Sequence, residues 1–110
     1  RALARLPLAG FPIGVAIAET TAERPRLDDS YAYRLVINET GVRIEADTQG
    51  GALSALITLA QLTNDESVPC CIVIDAPRFQ WRGLMVDVAR HFISLETLRR
   101  TLDAMGYFKL

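Results

Sequence analysis

The chain has 110 residues, half of them hydrophobic and 23% charged, so its composition is that of one small globular domain and excludes a disordered segment. A formal net charge of −1 without any basic run excludes a nucleic-acid-binding surface, and no apolar stretch reaches the ~20 residues of a membrane span. The chain begins at Arg1 without an initiator methionine, and we expect it to be an internal segment of a longer protein.

Residue types that bind metals and cofactors are scarce. There is one histidine, and the two cysteines, Cys70 and Cys71, are adjacent and form no Cys-x-x-Cys pair. Adjacent side chains of a strand point to opposite faces, so a disulfide between them would be strained, and we interpret both as strand residues. We therefore predict no metal and no cofactor.

The first half of the chain has the pattern of a small sheet. Residues 13–18 carry β-branched residues at every second position and are predicted to form a strand, followed by a polar loop over residues 19–30. Two segments then alternate apolar and polar side chains on either side of Gly41, which predicts a β-hairpin that uses the left-handed conformation open to glycine. The apolar positions of this hairpin are Tyr33, Leu35, Ile37, Val42, Ile44 and Ala46.

A helix and a further strand follow the hairpin. Gly50 and Gly51 open the predicted helix, and residues 64–67 end it. The spacing of apolar residues predicts a buried stripe at Leu53, Leu56, Ile57 and Ala60, widened by Leu59 and Leu62. Residues 70–74 are predicted to form the next strand, with Pro69 at its start. These elements indicate an α+β fold, a small sheet with a helix packed on one face.

The pattern changes at residues 75–78, which we interpret as a boundary between one domain over residues 1–77 and another over residues 78–110. Residues 83–89 form a nearly continuous apolar run, which is typical of a strand buried on both faces of a parallel sheet.

A second helix is predicted after this run. Ser94 can cap it, Glu96 suits its first turn, and Gly106 can close it. Its apolar stripe consists of Leu95, Leu98, Leu102 and Met105. Residues 107–110 then have the pattern of a new strand. A strand, a helix and a second strand begin an α/β barrel or a doubly wound sheet, and a complete barrel needs roughly 250 residues.

The run from Asp75 to Phe92, DAPRFQWRGLMVDVARHF, closely resembles the entry into the catalytic barrel of family 20 glycoside hydrolases, the β-N-acetylhexosaminidases. Residues 102–105 and 109–110 are similar to that family's first barrel helix and the approach to its second strand. Upstream, residues 58–62 are similar to its small non-catalytic domain. The resemblance implies a small α+β domain followed by the first strand and helix of an incomplete (β/α)8 barrel.

The resemblance also implies an activity for the parent protein. The family removes terminal N-acetylglucosamine or N-acetylgalactosamine with retention of configuration, by attack of the substrate's own acetamido oxygen on the anomeric carbon. A glutamic acid protonates the leaving oxygen, and the neighbouring aspartate orients the acetamido group. This pair lies in a His-x-Gly-Gly-Asp-Glu motif that the chain does not contain. We therefore expect no catalytic residue in this chain, and we expect the chain alone to be inactive.

One substrate-binding residue carries over from the family. The arginine of the family's Arg-His-aromatic motif binds hydroxyls of the sugar in the cleavage subsite, and Arg90 matches it. Arg90 also follows the predicted strand at the end where barrel active sites lie, although an exposed arginine at a strand end would show the same pattern. Asp87 is a candidate for orienting Arg90 or His91, or for a structural pair, and His91 for a supporting hydrogen bond.

Two other functions fit the same sequence. The chain could be a non-catalytic structural or oligomerisation module, or the small domain of another barrel glycosidase family. The run from Trp81 to Phe92 favours the hexosaminidases, whose partner is a carbohydrate. Because the apolar segments after Gly83 have no barrel to pack against, we also expect the isolated chain to self-associate or to be partly disordered beyond Pro77.

Overall fold

The computed structural model describes residues 4–17 and 30–110. It divides into two compact units, Arg1–Arg78 and Phe79–Leu110, which we call the first and the second unit. Most of the predicted polar loop over residues 19–30 lies outside the described residues. The described elements are β1 (Arg5–Pro7), β2 (Ile13–Ile17), β3 (Tyr33–Asn38), β4 (Gly41–Ala46), α1 (Gln49–Leu62), β5 (Ser67–Pro69), β6 (Cys71–Asp75) and α2 (Leu95–Tyr107).

The first unit contains a four-stranded sheet in the order β2-β4-β3-β6. Strand β3 pairs antiparallel with both β4 and β6, and β2 joins the other edge of β4 in parallel. Helix α1 packs against β3 and β4. The expected α+β arrangement, a small sheet with a helix on one face, is confirmed.

The predicted hairpin is also confirmed. Strands β3 and β4 pair from Tyr33 opposite Ala46 to Asn38 opposite Gly41. Gly41 has a φ of +145°, and a Cβ there would lie 2.7 Å from the carbonyl oxygen of Pro12. The Val42 backbone N–H donates to this same oxygen at 2.9 Å. Glycine is therefore required where the chain entering β2 approaches the hairpin.

The core lies between this sheet and α1. Four of its side chains are almost completely buried, and each contributes about 1.5–3 kcal/mol relative to remaining in water; they are Leu35, Ile37, Ile44 and Val68. The alternation that predicted the hairpin placed the first three of them on the inner face, where they are found.

The stripe predicted for α1 is wrong in part: Leu59 is buried and Leu62 packs against the core as expected, but none of the four central positions is buried. Leu53 is 59% exposed and Leu56 is 40% exposed, whereas the face toward the sheet consists of Gly51, Ala52, Ser54, Ala55 and Leu59. A Cβ on Gly51 would be closer than 3.0 Å to the carbonyl oxygen of Ala32, so the helix backbone approaches its neighbours at this point. The helix carries no charged residue, and without one periodicity cannot distinguish the inner face from the outer.

A second small sheet was not predicted. Strand β1 pairs antiparallel with β5, so Pro69 ends β5 and does not begin β6, and only Cys71 of the two cysteines lies within a strand. Asp65 and Glu66, with φ of 47° and 59°, form the turn that leads into β5. Strand β1 could not be predicted from the sequence, because three residues are too few to show an alternation of apolar and polar side chains.

In the second unit, α2 is confirmed, with Ser94 as its N-cap accepting from the Thr97 backbone N–H at 3.2 Å. Residues 83–89 do not form the predicted strand. A strand needs a hydrogen-bonded neighbour, and within the described part of the chain this run pairs with none. Instead, the Arg82 guanidinium donates to the carbonyl oxygens of Phe79 at 2.7 Å and Lys109 at 2.9 Å.

The predicted strand over residues 107–110 is also absent, because the helix continues through Gly106 to Tyr107 and its last carbonyl groups accept hydrogen bonds from the residues that follow. Lys109 has a φ of +59°, and its N–H donates to Gly106 while that of Leu110 donates to Met105. This pair of bonds is a Schellman closure with lysine at the left-handed position. No residue of α2 is buried, so its predicted apolar stripe forms no core in this chain.

Candidate functional site

The residues singled out by the sequence, Asp87, Arg90 and His91, lie in one short connection of the second unit. A segment without regular secondary structure ends at Asp87, a turn follows over residues 88–90, and His91 begins the approach to the N-cap of α2. The connection is built entirely from local sequence, because aspartate is the side chain best suited to bond the backbone two and three residues ahead.

Asp87 uses its two carboxylate oxygens differently. Its Oδ1 accepts from the backbone N–H of Ala89 at 2.9 Å and of Arg90 at 3.1 Å, which closes the turn. Its Oδ2 lies 3.3 Å from Nε of Arg90. The carboxylate therefore holds both the backbone and the side chain of Arg90.

The ion pair between Asp87 and Arg90 faces solvent. The side chain of Arg90 is 85% exposed and that of Asp87 is 41% exposed. Exposed pairs of this kind contribute only about 0–1 kcal/mol to stability. The terminal nitrogens of Arg90 have no further partner among the residues that the structure describes, and they present parallel N–H donors to solvent. The arrangement can bind a neutral molecule that offers two adjacent oxygen acceptors.

His91 takes no part in this arrangement. It is exposed, and within residues 4–17 and 30–110 it makes no hydrogen bond or ion pair. The structure thus brings Asp87 to Arg90 and leaves His91 apart.

A polar cluster in the first unit was missed by the sequence analysis. The hydroxyl of Tyr33 donates to Oδ2 of Asp75 at 3.0 Å and lies 2.6 Å from Oγ1 of Thr58. The sequence signal was weak, because Tyr33 falls on the apolar face of the hairpin. We interpret the cluster as the polar end of the core.

The cysteines offer no site either. Both are free thiols; burial raises the pKa of the Cys71 thiol, and neighbouring Cys70 adds to the rise, so Cys71 is less ionised than an ordinary cysteine. The part of the chain that the structure describes has no cluster of histidine, cysteine or carboxylate side chains that could hold a metal. Neither described helix is long and apolar enough to cross a membrane.

Two models of one protein family match most of the chain. Residues 11–76 match the model described as glycosyl hydrolase family 20, domain 2, and residues 79–110 match the catalytic domain of the same family. The first match alone spans more than half of the chain.

Individual relatives agree with this result. A β-hexosaminidase of Akkermansia muciniphila is 40% identical over 79% of this chain and 18% of its own length. Among solved structures, a chitobiase of Flavobacterium johnsoniae is 34% identical with a TM-score of 0.78, over 89% of this chain and 15% of the other.

A further solved structure contains a ligand. It is an exo-β-N-acetylglucosaminidase from Vibrio harveyi in complex with N-acetylglucosamine, 36% identical with a TM-score of 0.73, over 89% of this chain and 15% of the other. The chain therefore spans less than a fifth of each of these three relatives. On the combined matches to both domain models and to these relatives, the chain belongs to glycosyl hydrolase family 20.

Proposed function

We propose that the protein to which this chain belongs hydrolyses terminal β-linked N-acetylhexosamine from glycans or chito-oligosaccharides, by a retaining, substrate-assisted mechanism. The observation that carries the proposal is that two successive segments match two domains of one hydrolase family. Residues 11–76 match its domain 2, and residues 79–110 match its catalytic domain. The ligand of the Vibrio harveyi relative, N-acetylglucosamine, supports the substrate class.

In this proposal residues 1–77 are the non-catalytic domain and residues 78–110 begin the catalytic (β/α)8 barrel. The exposure of apolar side chains in the second unit supports this division, because Leu84, Met85, Leu95 and Leu102 contact water here. In a barrel, helices pack by such side chains against the strands.

Arg90 is the residue of this chain that we propose to bind substrate. An N-acetylhexosamine has its acetamido group on C2, and its only hydroxyls on adjacent ring carbons are those on C3 and C4. The terminal nitrogens of Arg90 can donate to both oxygens at once. Asp87 and His91 are proposed as supporting residues, and no catalytic residue is proposed within these 110 residues.

Turnover of 4-nitrophenyl β-N-acetylglucosaminide tests the proposal. The parent enzyme should cleave it, whereas the 110-residue chain should not, because it lacks the His-x-Gly-Gly-Asp-Glu motif that carries the catalytic pair. Replacing Arg90 by methionine in the parent should lower kcat/KM about 100-fold, the effect of losing two charge-assisted hydrogen bonds. Turnover by the chain alone, or an unchanged kcat/KM in the Arg90→Met enzyme, would contradict this proposal.

The exposure of apolar side chains also favours a second function. Apolar side chains are exposed on both units, and the largest exposed fractions belong to Ile74, Trp81, Met85 and Phe92. Surfaces of this kind mark contacts with other protein. The isolated chain would then act as an association module, and light scattering should detect oligomers. A monomer whose amides are uniformly protected from hydrogen exchange as far as Leu110 would exclude this alternative.

A further inference from the structure

We propose that Asp87 is a positioning residue, which turns the guanidinium of Arg90 so that its two terminal nitrogens meet the C3 and C4 hydroxyls of the substrate. This inference rests on the proposed function, since it concerns the same sugar site. The two oxygens of the Asp87 carboxylate have different partners. Oδ1 accepts hydrogen bonds from two backbone N–H groups, and Oδ2 lies 3.3 Å from Nε of Arg90.

Asp87 occupies only one side of the Arg90 guanidinium. A guanidinium has one edge that includes Nε and another formed only by the two terminal nitrogens. The carboxylate lies at Nε. The opposite edge, which carries two parallel N–H bonds, is left for a ligand. A pair of neighbouring hydroxyls matches this edge in spacing, and their oxygens can accept both N–H bonds.

The turn restrains this orientation. The same aspartate that faces Nε also closes the backbone turn at Ala89 and Arg90, so the carboxylate cannot rotate toward another partner without losing two hydrogen bonds. Arginine has a long side chain with many rotamers, and holding it before the substrate arrives lowers the entropy lost on binding. An exposed ion pair that adds little to stability can therefore still determine how well Arg90 binds sugar.

One substitution separates the two roles of Asp87. In Asp87→Asn the amide oxygen can still accept from the backbone N–H groups of Ala89 and Arg90, but the amide nitrogen that replaces Oδ2 cannot accept from Nε. Asp87→Ala removes both roles. Glu96→Gln is the matched control, because it makes the same carboxylate-to-amide change at an exposed position in the first turn of α2.

The experiment measures kcat/KM of the full-length enzyme on 4-nitrophenyl β-N-acetylglucosaminide, together with the midpoint of thermal unfolding. Asp87→Asn should lower kcat/KM about tenfold, because the ion pair that orients the guanidinium is lost, without moving the midpoint. In an Arg90→Met background the same change should alter kcat/KM less than about twofold, because residues that act through one another are not additive. Glu96→Gln should leave kcat/KM unchanged.

Substrates that lack the C3 or the C4 hydroxyl test the same dependence on Arg90 without a second substitution, because each removes one acceptor of the guanidinium. The loss caused by Asp87→Asn should shrink on each of them. Wild-type kcat/KM in Asp87→Asn, or an equal loss in the presence and absence of Arg90, would overturn the positioning role while leaving the proposed function intact. Full activity of Arg90→Met would instead refute the sugar-binding role of Arg90 itself.

Discussion

The close approach of α1 to the rest of the first unit yields a sharp prediction at Gly51. Alanine is the better helix former, and in an unconstrained helix Gly→Ala is stabilising by about 0.5–1 kcal/mol. A Cβ on Gly51, however, would be closer than 3.0 Å to the carbonyl oxygen of Ala32 and 3.1 Å from Cβ of Ala46. Both neighbours are held by the backbone, and neither is the flexible end of a long side chain.

The expected magnitude follows from these distances. Ordinary contacts of a Cβ begin at 3.4 Å, so the helix must move away from the segment at Ala32 by several tenths of an ångström. Overpacking of this kind costs about 1–3 kcal/mol and exceeds the gain in helix propensity. We expect Gly51→Ala to lower the free energy of unfolding by about 2 kcal/mol, which corresponds to a fall of about 8–16 °C in Tm for a domain of this size.

Thermal and urea unfolding of the 110-residue chain, followed by far-ultraviolet circular dichroism, measures the effect. Gly106→Ala is the matched control, since it makes the same change within α2, where a new Cβ has no neighbour within 4 Å. That variant should keep the Tm of the first unit and gain slightly in helix content. If Gly51→Ala raised the Tm as helix propensity alone predicts, the close contact with Ala32 would not exist in solution.

Three further changes test other parts of the structure. Leu35→Ala should lower the free energy of unfolding by about 2–5 kcal/mol in urea titrations, because Leu35 has no exposed surface, whereas Ile74→Ala, at a position 77% exposed, should cost less than about 1 kcal/mol. The double change Asp65→Asn and Glu66→Gly should raise the Tm by about 4–8 °C, because it relieves two left-handed residues in the turn before β5; an unchanged Tm would show that this turn is not strained. Burial raises the pKa of the Cys71 thiol, so iodoacetamide should alkylate it more slowly at neutral pH than it alkylates a fully exposed thiol. The contribution of this group to the free energy of unfolding is present at low pH and is lost as the pH rises through the raised pKa. Equal rates for Cys71 in the folded chain and in urea would count against its burial.

The sequence by itself determined the features that depend on neighbouring residues. The alternation on both sides of Gly41 predicted the hairpin β3–β4 and its inner face, and Ser94 predicted the start of α2. The motif from Asp75 to Phe92 indicated the family, because its residues are consecutive in the chain. Such features are local, because side-chain period, turn chemistry and capping each involve only a few consecutive residues.

Only the tertiary structure decided which face of α1 is buried. The helix is apolar on both sides, and the close approach at Gly51, which involves a segment almost twenty residues earlier in the chain, selects the face with the small side chains. The pairing of β1 with β5 is equally non-local, since it joins residues sixty or more positions apart.

Residues 83–89 and the pair formed by Asp87 and Arg90 show the same division within the candidate site. The apolar run has the local composition of a strand, but a strand exists only where another supplies hydrogen-bonding partners, and composition does not contain them. The sequence could name Asp87 and Arg90 as candidates. The placement of one carboxylate oxygen on the backbone and the other at Nε depends on the turn that the folded chain adopts.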